Sequence, residues 1–412
     1  MIAFRIADEE LDLNASTSVQ VEYFSSLFET DRIPGMLTYP VTLPWSKKNK
    51  RMLGFPGSLS MRRYRKEPFD CQLYLNNLWR VGKLYIMGTS DSGISVSFQS
   101  DIGDLGEAFK NDSLRELDLG SGLEFVRFTV RNDKFADNTQ VPYPYLVHIL
   151  RQVMKQYGYT CSGAWLDDAS IRSLVIYNVQ PPDPGQVIYA HHMPDMKVND
   201  FLKAIRAAFA LGFVFNTTTK NMEIVRLRDV IRNTDFADWR SRQIRVKEWK
   251  PNETDGFRLE LKPDSNDDLN KELSVEAYTF QVGKGKETIP IGLGTLKMAA
   301  DGVPVASQEA NYEGKFGLNL LYYGGQQAQP LVPATLYAQY HREWLEFLSE
   351  TETVEADVSL SITDLRTLRQ DRKVLVQDEL ASVKALWRKI SVTVSLDKGI
   401  QTAKASFFKV RV

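Results

Sequence analysis

The side chains able to do chemistry are few and scattered. The histidines are His148, His191, His192 and His341, and no HExxH pattern joins them. Of these, the adjacent pair His191 and His192 is the candidate for a metal. Neighbouring residues of an extended segment point to opposite sides, so both rings reach one ion only if the chain bends there. His148 lies within an apolar helical pattern and reads as a partly buried, hydrogen-bonded ring. His341, beside Arg342 and Glu343, reads as helix surface. Asp264, Asn266 and Asp268 imitate the opening of a calcium loop, but Leu269 stands where the sharp turn requires glycine and Val275 where a bidentate glutamate belongs. Gly283, Gly285, Gly292 and Gly294 invite a phosphate-loop reading. No GxxxxGK[ST] exists, however, and GKGKET lacks the third glycine of a dinucleotide fingerprint, which leaves a flexible loop. No GxSxG elbow organises a serine. The expectation is no catalytic residue, no metal and no cofactor.

Charge and cysteine usage narrow the class further. The two cysteines, Cys71 and Cys161, are far apart and cannot build a disulfide framework. Cys71 alternates with Leu73 and Leu75 and reads as a small buried hydrophobe. The run Arg62-Arg63-Tyr64-Arg65-Lys66 joins positive charge to an aromatic, as single-strand binders do, and residues 226–250 are also basic. Because acids bring the net charge to −1, a solvated face or inter-subunit pairing is the better reading, and no specific nucleic-acid partner is expected. The N-terminus, MIAFRIADEELDL, has acids where a secretion signal has a basic region. The longest apolar stretch, Ala204 to Phe215, contains Arg206 and falls short of the roughly 20 residues that cross a bilayer. Synthesis in a bacterial cytoplasm without a membrane anchor is the expectation.

The elements that would position these groups are legible from periodicity. Val19, Val21 and Tyr23, then Cys71, Leu73 and Leu75, then Ile94, Val96 and Phe98 alternate as half-buried strands do. Between them, residues 33–56 carry Pro34, Pro40, Pro44 and Pro56, which remove backbone donors and argue against a central strand. This stretch is expected to be an arm or an edge. Its apolar residues Met36, Leu37, Tyr39, Val41, Leu43, Trp45 and Phe55 need a surface to cover them, either a neighbouring subunit or the chain's own sheet. Leu146, Ile149, Leu150, Val153 and Tyr157 then mark a helix, with Pro144 as a first-turn proline and Gly158 as its stop. Val198, Phe201, Leu202, Ile205 and Phe209 mark a second, with Asn199 or Asp200 as cap and Gly212 following it. A hairpin from Phe213 to Leu227 comes next. After a glycine-rich excursion over 283–325, Tyr337, Tyr340, Trp344, Phe347 and Leu348 mark a third helix. Val354 to Leu360 and Ile390 to Leu396 alternate cleanly as strands, and Asp397-Lys398-Gly399 turns into a return strand through Ala403, Ala405 and Phe407.

A chain of 412 residues exceeds what one hydrophobic core usually supports. The expected class is α+β and β-dominated, with two antiparallel β-barrel-like domains bridged by a helix-containing module. The divisions fall at 1–135, carrying the arm, at 136–235, and at 236–412, with the excursion at about 281–334.

Three stretches carry a family likeness: TYPVTLPWSKKNKRMLGFP, then YPYLVHILRQVMKQYGYTCSGAWLDD with SLVIYN, then VEADVSLSITDLRTL with LWRKISVTVSL. Together they resemble tail proteins of phages and prophages of Bacteroidetes-type bacteria, placed at the tail tip as hub or baseplate components. The resemblance implies a virion structural protein, not an enzyme. It also implies partners drawn from the tail: other copies of itself, as in a trimer, and tube, spike or baseplate proteins. Two alternatives stand beside it. A β-rich carbohydrate- or receptor-binding surface protein would use tryptophans such as Trp45, Trp79 and Trp165, and a tail-associated peptidoglycan hydrolase would need paired carboxylates or a zinc site.

Overall fold

The computed structural model describes residues 2–28, 36–58, 67–76, 78–100, 103–129, 140–180, 183–252, 254–263, 273–305, 317–324, 328–377 and 381–410. Strands dominate, and the α+β, β-rich class holds.

The alternating segments at the two ends of the chain meet in one sheet. Its order runs Ile244–Pro251, Glu352–Val358, Ala403–Lys409, Ser382–Ser395, Ser18–Phe24, Met36–Thr38, Gly93–Ser100, Leu78–Ser90, Phe69–Leu75, Ile2–Ile6 and Glu9–Glu10. The junction is the antiparallel pair formed by Ser382–Ser395 and Ser18–Phe24. There Ile390 faces Tyr23, Val392 faces Val21 and Val394 faces Val19, so the buried residues of both strands fall on one side. The 14-residue strand makes this possible: one half pairs within the C-terminal region and the other half with the N-terminal strand. One apolar core accordingly contains Phe4, Val21 and Phe98 together with Trp239, Trp387 and Phe407. No closed barrel forms among the described residues.

The proline-punctuated stretch is where expectation and structure differ most. Met36–Thr38 lies inside the sheet, between Ser18–Phe24 and Gly93–Ser100, and Val41–Leu43 continues against Gly93–Ser100. Pro40 and Pro44 flank these short strands without occupying them, so no ladder donor is lost where one is needed. A side chain repairs the interruption. Thr38 Oγ1 accepts from the Phe98 amide at 2.8 Å, while Ser97 Oγ donates to the Thr38 carbonyl at 2.8 Å. Pro34 lies outside the described residues.

A second and larger core is built around helices. Leu146–Gln156 buries Leu146, Ile149, Leu150 and Val153, and Val198–Ala208 buries Val198, Phe201, Leu202 and Ile205, as their periodicity requires. The ends are set differently from expectation. Pro144 ends the strand Gln140–Pro144, and Tyr145 takes the cap position. Lys197, not Asn199 or Asp200, precedes the second helix, and Ala210 takes the left-handed conformation after it. Gly212 instead sits in the strand Leu211–Asn216, where a Cβ would lie 2.4 Å from Leu27 Cδ2. The strands that follow the two helices join: Thr160–Ser162 runs parallel to Asn221–Arg226, which pairs antiparallel with Leu211–Asn216.

The described parts of the glycine-rich stretch are integrated into this core and are not a loose excursion. Leu320–Tyr323 pairs with Leu174–Ile176, and Ile291, Leu293, Leu318 and Leu320 are buried. Gly292, at φ +74°, brings the backbone so close to Ala204 that an added Cβ would meet it at 3.1 Å. The third helix runs Pro333–Leu336, a π-helical turn Tyr337–His341, and Arg342–Glu350, with Pro333 at its first turn.

Candidate functional site

The histidine pair is the one sequence-singled candidate whose members the structure brings together. Residues Tyr189–His192 form a 3-10 turn, held by Asp183 Oδ2, which accepts from the Ile188 amide at 2.8 Å. The bend turns both rings onto one carboxylate. His191 Nδ1 lies 2.8 Å from Asp183 Oδ1, and His192 Nε2 lies 3.1 Å from Asp183 Oδ2. On the far side, Asn178 Nδ2 donates to His192 Nδ1 at 2.9 Å, which fixes the ring as the neutral tautomer with its proton on Nε2, toward the carboxylate. Burial pushes the His192 imidazole down, against the pull of Asp183. Burial alone would push the Asp183 carboxyl up, but the bonds from His191, the Ile188 amide and His192 outweigh it and hold the carboxyl below its usual range.

This arrangement consumes its own chemistry. Both nitrogens of His192 are engaged, the ring is buried, and no lone pair is left to accept a substrate proton or bind an ion. Among the described residues no cluster of three or more His, Cys, Asp or Glu side chains has the geometry to hold a metal. The pair locks the turn that follows Asn178.

Of the remaining histidines, His148 is partly buried within its helix, as expected, and His341 departs from expectation. His341 is buried, not on a helix surface. Its Nε2 donates to the Ala208 carbonyl at 3.2 Å, and burial pushes the imidazole down to about 4. It lines a cavity of about 1020 Å³ beside Arg206, whose guanidinium is spent on the carbonyls of Leu211 and Ser26. His148 packs its ring 4.9 Å from that of Tyr189, but its buried Nε2 has no hydrogen-bond partner among the described residues. Cys71 is buried, as its alternation requires, and burial pushes the thiols of Cys71 and Cys161 up to about 12, far from a reactive thiolate.

The basic stretch 226–250 is laced to acids of its own chain. Arg226 pairs with Asp168 at 2.9 Å, Arg232 with Glu343, Arg242 with Asp364 at 2.8 Å and Lys247 with Asp357 at 2.9 Å. The Arg62–Lys66 run and the calcium-like Asp264, Asn266 and Asp268 lie outside the described residues. Of the tryptophans that would line a sugar site, Trp165 is wholly buried against Phe209. Trp45 donates to the Ser90 carbonyl at 2.8 Å, and the Trp79 side chain is outside those described. The arm residues divide. Met36, Val41 and Leu43 are buried in their own sheet, Leu37 and Trp45 are half-buried, and Tyr39 and Phe55 are 43% and 51% exposed.

Sequence reasoning missed the strand Ile244–Pro251, which is exposed along nearly its whole length and leaves Trp249 in solvent. Its alternation of apolar and charged residues was the available signal, hidden because the stretch reads first as a run of positive charge.

No family model and no curated protein matches the sequence. Over nearly its whole length the chain is similar to solved phage and prophage tail proteins. The 43 kDa tail protein of prophage MuSo2 from Shewanella oneidensis aligns at a TM-score of 0.45 and 11% identity, covering 100% of this chain and 98% of that one. A tail protein from Neisseria meningitidis MC58 aligns at 0.44 and 8%, covering 99% and 95%. Prophage tail protein gp18 from Listeria monocytogenes EGD-e aligns at 0.41 and 9%, covering 99% and 94%. Among the described residues no helix is long and apolar enough to cross a membrane.

Proposed function

We propose that this chain is a structural component of a phage or prophage tail tip, a hub or baseplate subunit of the Bacteroidetes type that its sequence resembles. It acts by assembling with copies of itself and docking to tube or spike, with no catalytic step. The observation that carries the reading is the single sheet through which the first and last strands of the chain hold one another. Such a wall ties the two ends of the chain to each other, and it still ends in strand edges that a neighbour can continue.

Within this proposal the modules at 1–135 and 236–412 supply the wall and that at 136–235 supplies the helical buttress. The arm contributes to a neighbour through Tyr39 and Phe55, the members its own sheet leaves exposed. The test is to purify particles from a host carrying the gene and locate the chain by mass spectrometry and immunogold labelling. The reading expects it at the tail tip, and expects gene deletion to give particles lacking a complete tip. Particles that assemble normally without the protein would reject it.

A further inference from the structure

Two backbone groups decide how the Asn178 side chain must sit. The Gln180 amide can only donate, and Asn178 Oδ1 accepts from it at 2.8 Å; the Pro142 carbonyl can only accept, and Asn178 Nδ2 donates to it at 3.1 Å. The side chain is wholly buried, so turning its amide over would leave both backbone groups facing the wrong partner. In the orientation so fixed, Asn178 presents an N–H to His192 Nδ1, 2.9 Å away, while Asp183 Oδ2 lies 3.1 Å from Nε2. The ring therefore fits its site with one proton and not with two. A second proton, on Nδ1, would point straight at the Asn178 amide hydrogens, and the bond that joins His192 to Asn178 would become a contact between two donors.

What the ring holds is a segment of chain. Val187–Ile188 pairs only with Ser121–Gly122 among the described residues, and the Tyr189 amide donates to the Gly120 carbonyl. Beyond this short pairing and the burial of Val187 and Tyr189, the segment is tied down by Asp183, His191, His192 and Asn178. The surface it shapes carries Ile188, 41% exposed, and Leu123, 88% exposed. Burial holds the His192 imidazole below its usual range, against the pull of Asp183 and with the help of His191 in the same turn and of Arg115. The strand Gln140–Pro144, packed against the turn, brings no charged residue, and burial keeps its Tyr143 neutral. His148, from the helix Leu146–Gln156, meets Tyr189 of the turn.

We propose that His192 is a proton-operated catch: the neutral ring holds residues 183–192 to Asn178, and the imidazolium releases them from Ser121–Gly122, reshaping the surface around Leu123 while the rest of the chain stays folded. The catch is closed above about pH 6.5, where an unfolded histidine is neutral as well, and it loosens as pH falls toward the lowered value of the closed state.

Hydrogen exchange of the full chain tests this, followed by mass spectrometry at about pH 7.5 and about pH 5.5 and corrected for the intrinsic effect of pH. Residues 183–192 are compared with the buried helix Leu146–Gln156. The expected result is exchange of 183–192 that rises by up to about tenfold at the lower pH, one decade for each pH unit between the open and closed protonation equilibria. The helix should be unchanged, and His192→Gln, which has nothing to titrate, should show no such rise. Because a buried substitution can fail to fold, nitrogen NMR of the histidine rings in the parent is the second measurement. His192 should carry a bare Nδ1 at the higher pH and take up its proton over the range in which exchange rises. Unchanged exchange of 183–192 overturns the catch, as does a rise shared equally by the helix, which is general acid unfolding, or one that His192→Gln retains. So does a His192 ring already charged at the higher pH, or one that titrates with no change in exchange.

Discussion

Met36–Thr38 is three residues long, is followed by Pro40, and lies between two neighbours in the sheet; Ile244–Pro251 is eight residues long, with proline at its last position, and ends the sheet. Length and unbroken pairing potential would have placed them the other way round. The difference lies in what each strand brings to the core. Met36 and Thr38 both point inward and are buried, and Thr38 substitutes its hydroxyl for a ladder bond. Ile244–Pro251 offers the core little beyond half-buried Ile244, so nothing holds a further strand against it within the subunit. A central position is decided by burial and polar satisfaction, and a proline beside a strand costs little if the donor it lacks was never required.

This contrast can be broken at its interior side first. Deleting residues 36–43 is expected to abolish the native fold, seen as loss of the cooperative thermal transition, because the sheet would lose a member from its middle. A deletion that still melts cooperatively would return the arm to the exterior. Leu43→Ala, at a wholly buried position, should cost about 2–5 kcal/mol in a urea titration. A cost no larger than a surface change would contradict the interior assignment.

A pH effect of comparable size comes from the buried ring of His341. Its folded-state value of about 4 lies below the roughly 6.5 of an unfolded histidine, so the folded chain refuses a proton that the unfolded chain accepts. The stability this confers is complete above about pH 6.5 and is lost as pH falls toward 4, by on the order of 3 kcal/mol in full. Urea midpoints measured across that window should fall with pH, and His341→Leu should flatten the slope. An unchanged slope would remove His341 from the interior.

Smaller changes sharpen the comparison. Thr38→Val keeps the shape but leaves the Phe98 amide without its acceptor, and should cost about 1–3 kcal/mol. At the edge, Trp249→Ser should alter subunit stability by no more than about 0.5 kcal/mol, measured on the monomer. If Trp249→Ser proves the more damaging of the two, the strand is held by its own subunit and the contrast fails.

The helices Leu146–Gln156 and Val198–Ala208, the hairpin between Leu211–Asn216 and Asn221–Arg226, and the strands Glu352–Val358 and Ala403–Lys409 were written in the sequence by itself. Each depends on the spacing of apolar residues a few positions apart, and neighbours in the chain suffice to state it. The burial of Cys71 was legible for the same reason. Tertiary structure alone decided that the two ends of the chain share one sheet, that Met36–Thr38 is interior and Ile244–Pro251 exterior, and that His341 is sealed while His191 and His192 share Asp183. Each of those outcomes joins residues distant in sequence, and periodicity records which face of a segment is apolar without recording what that face will meet.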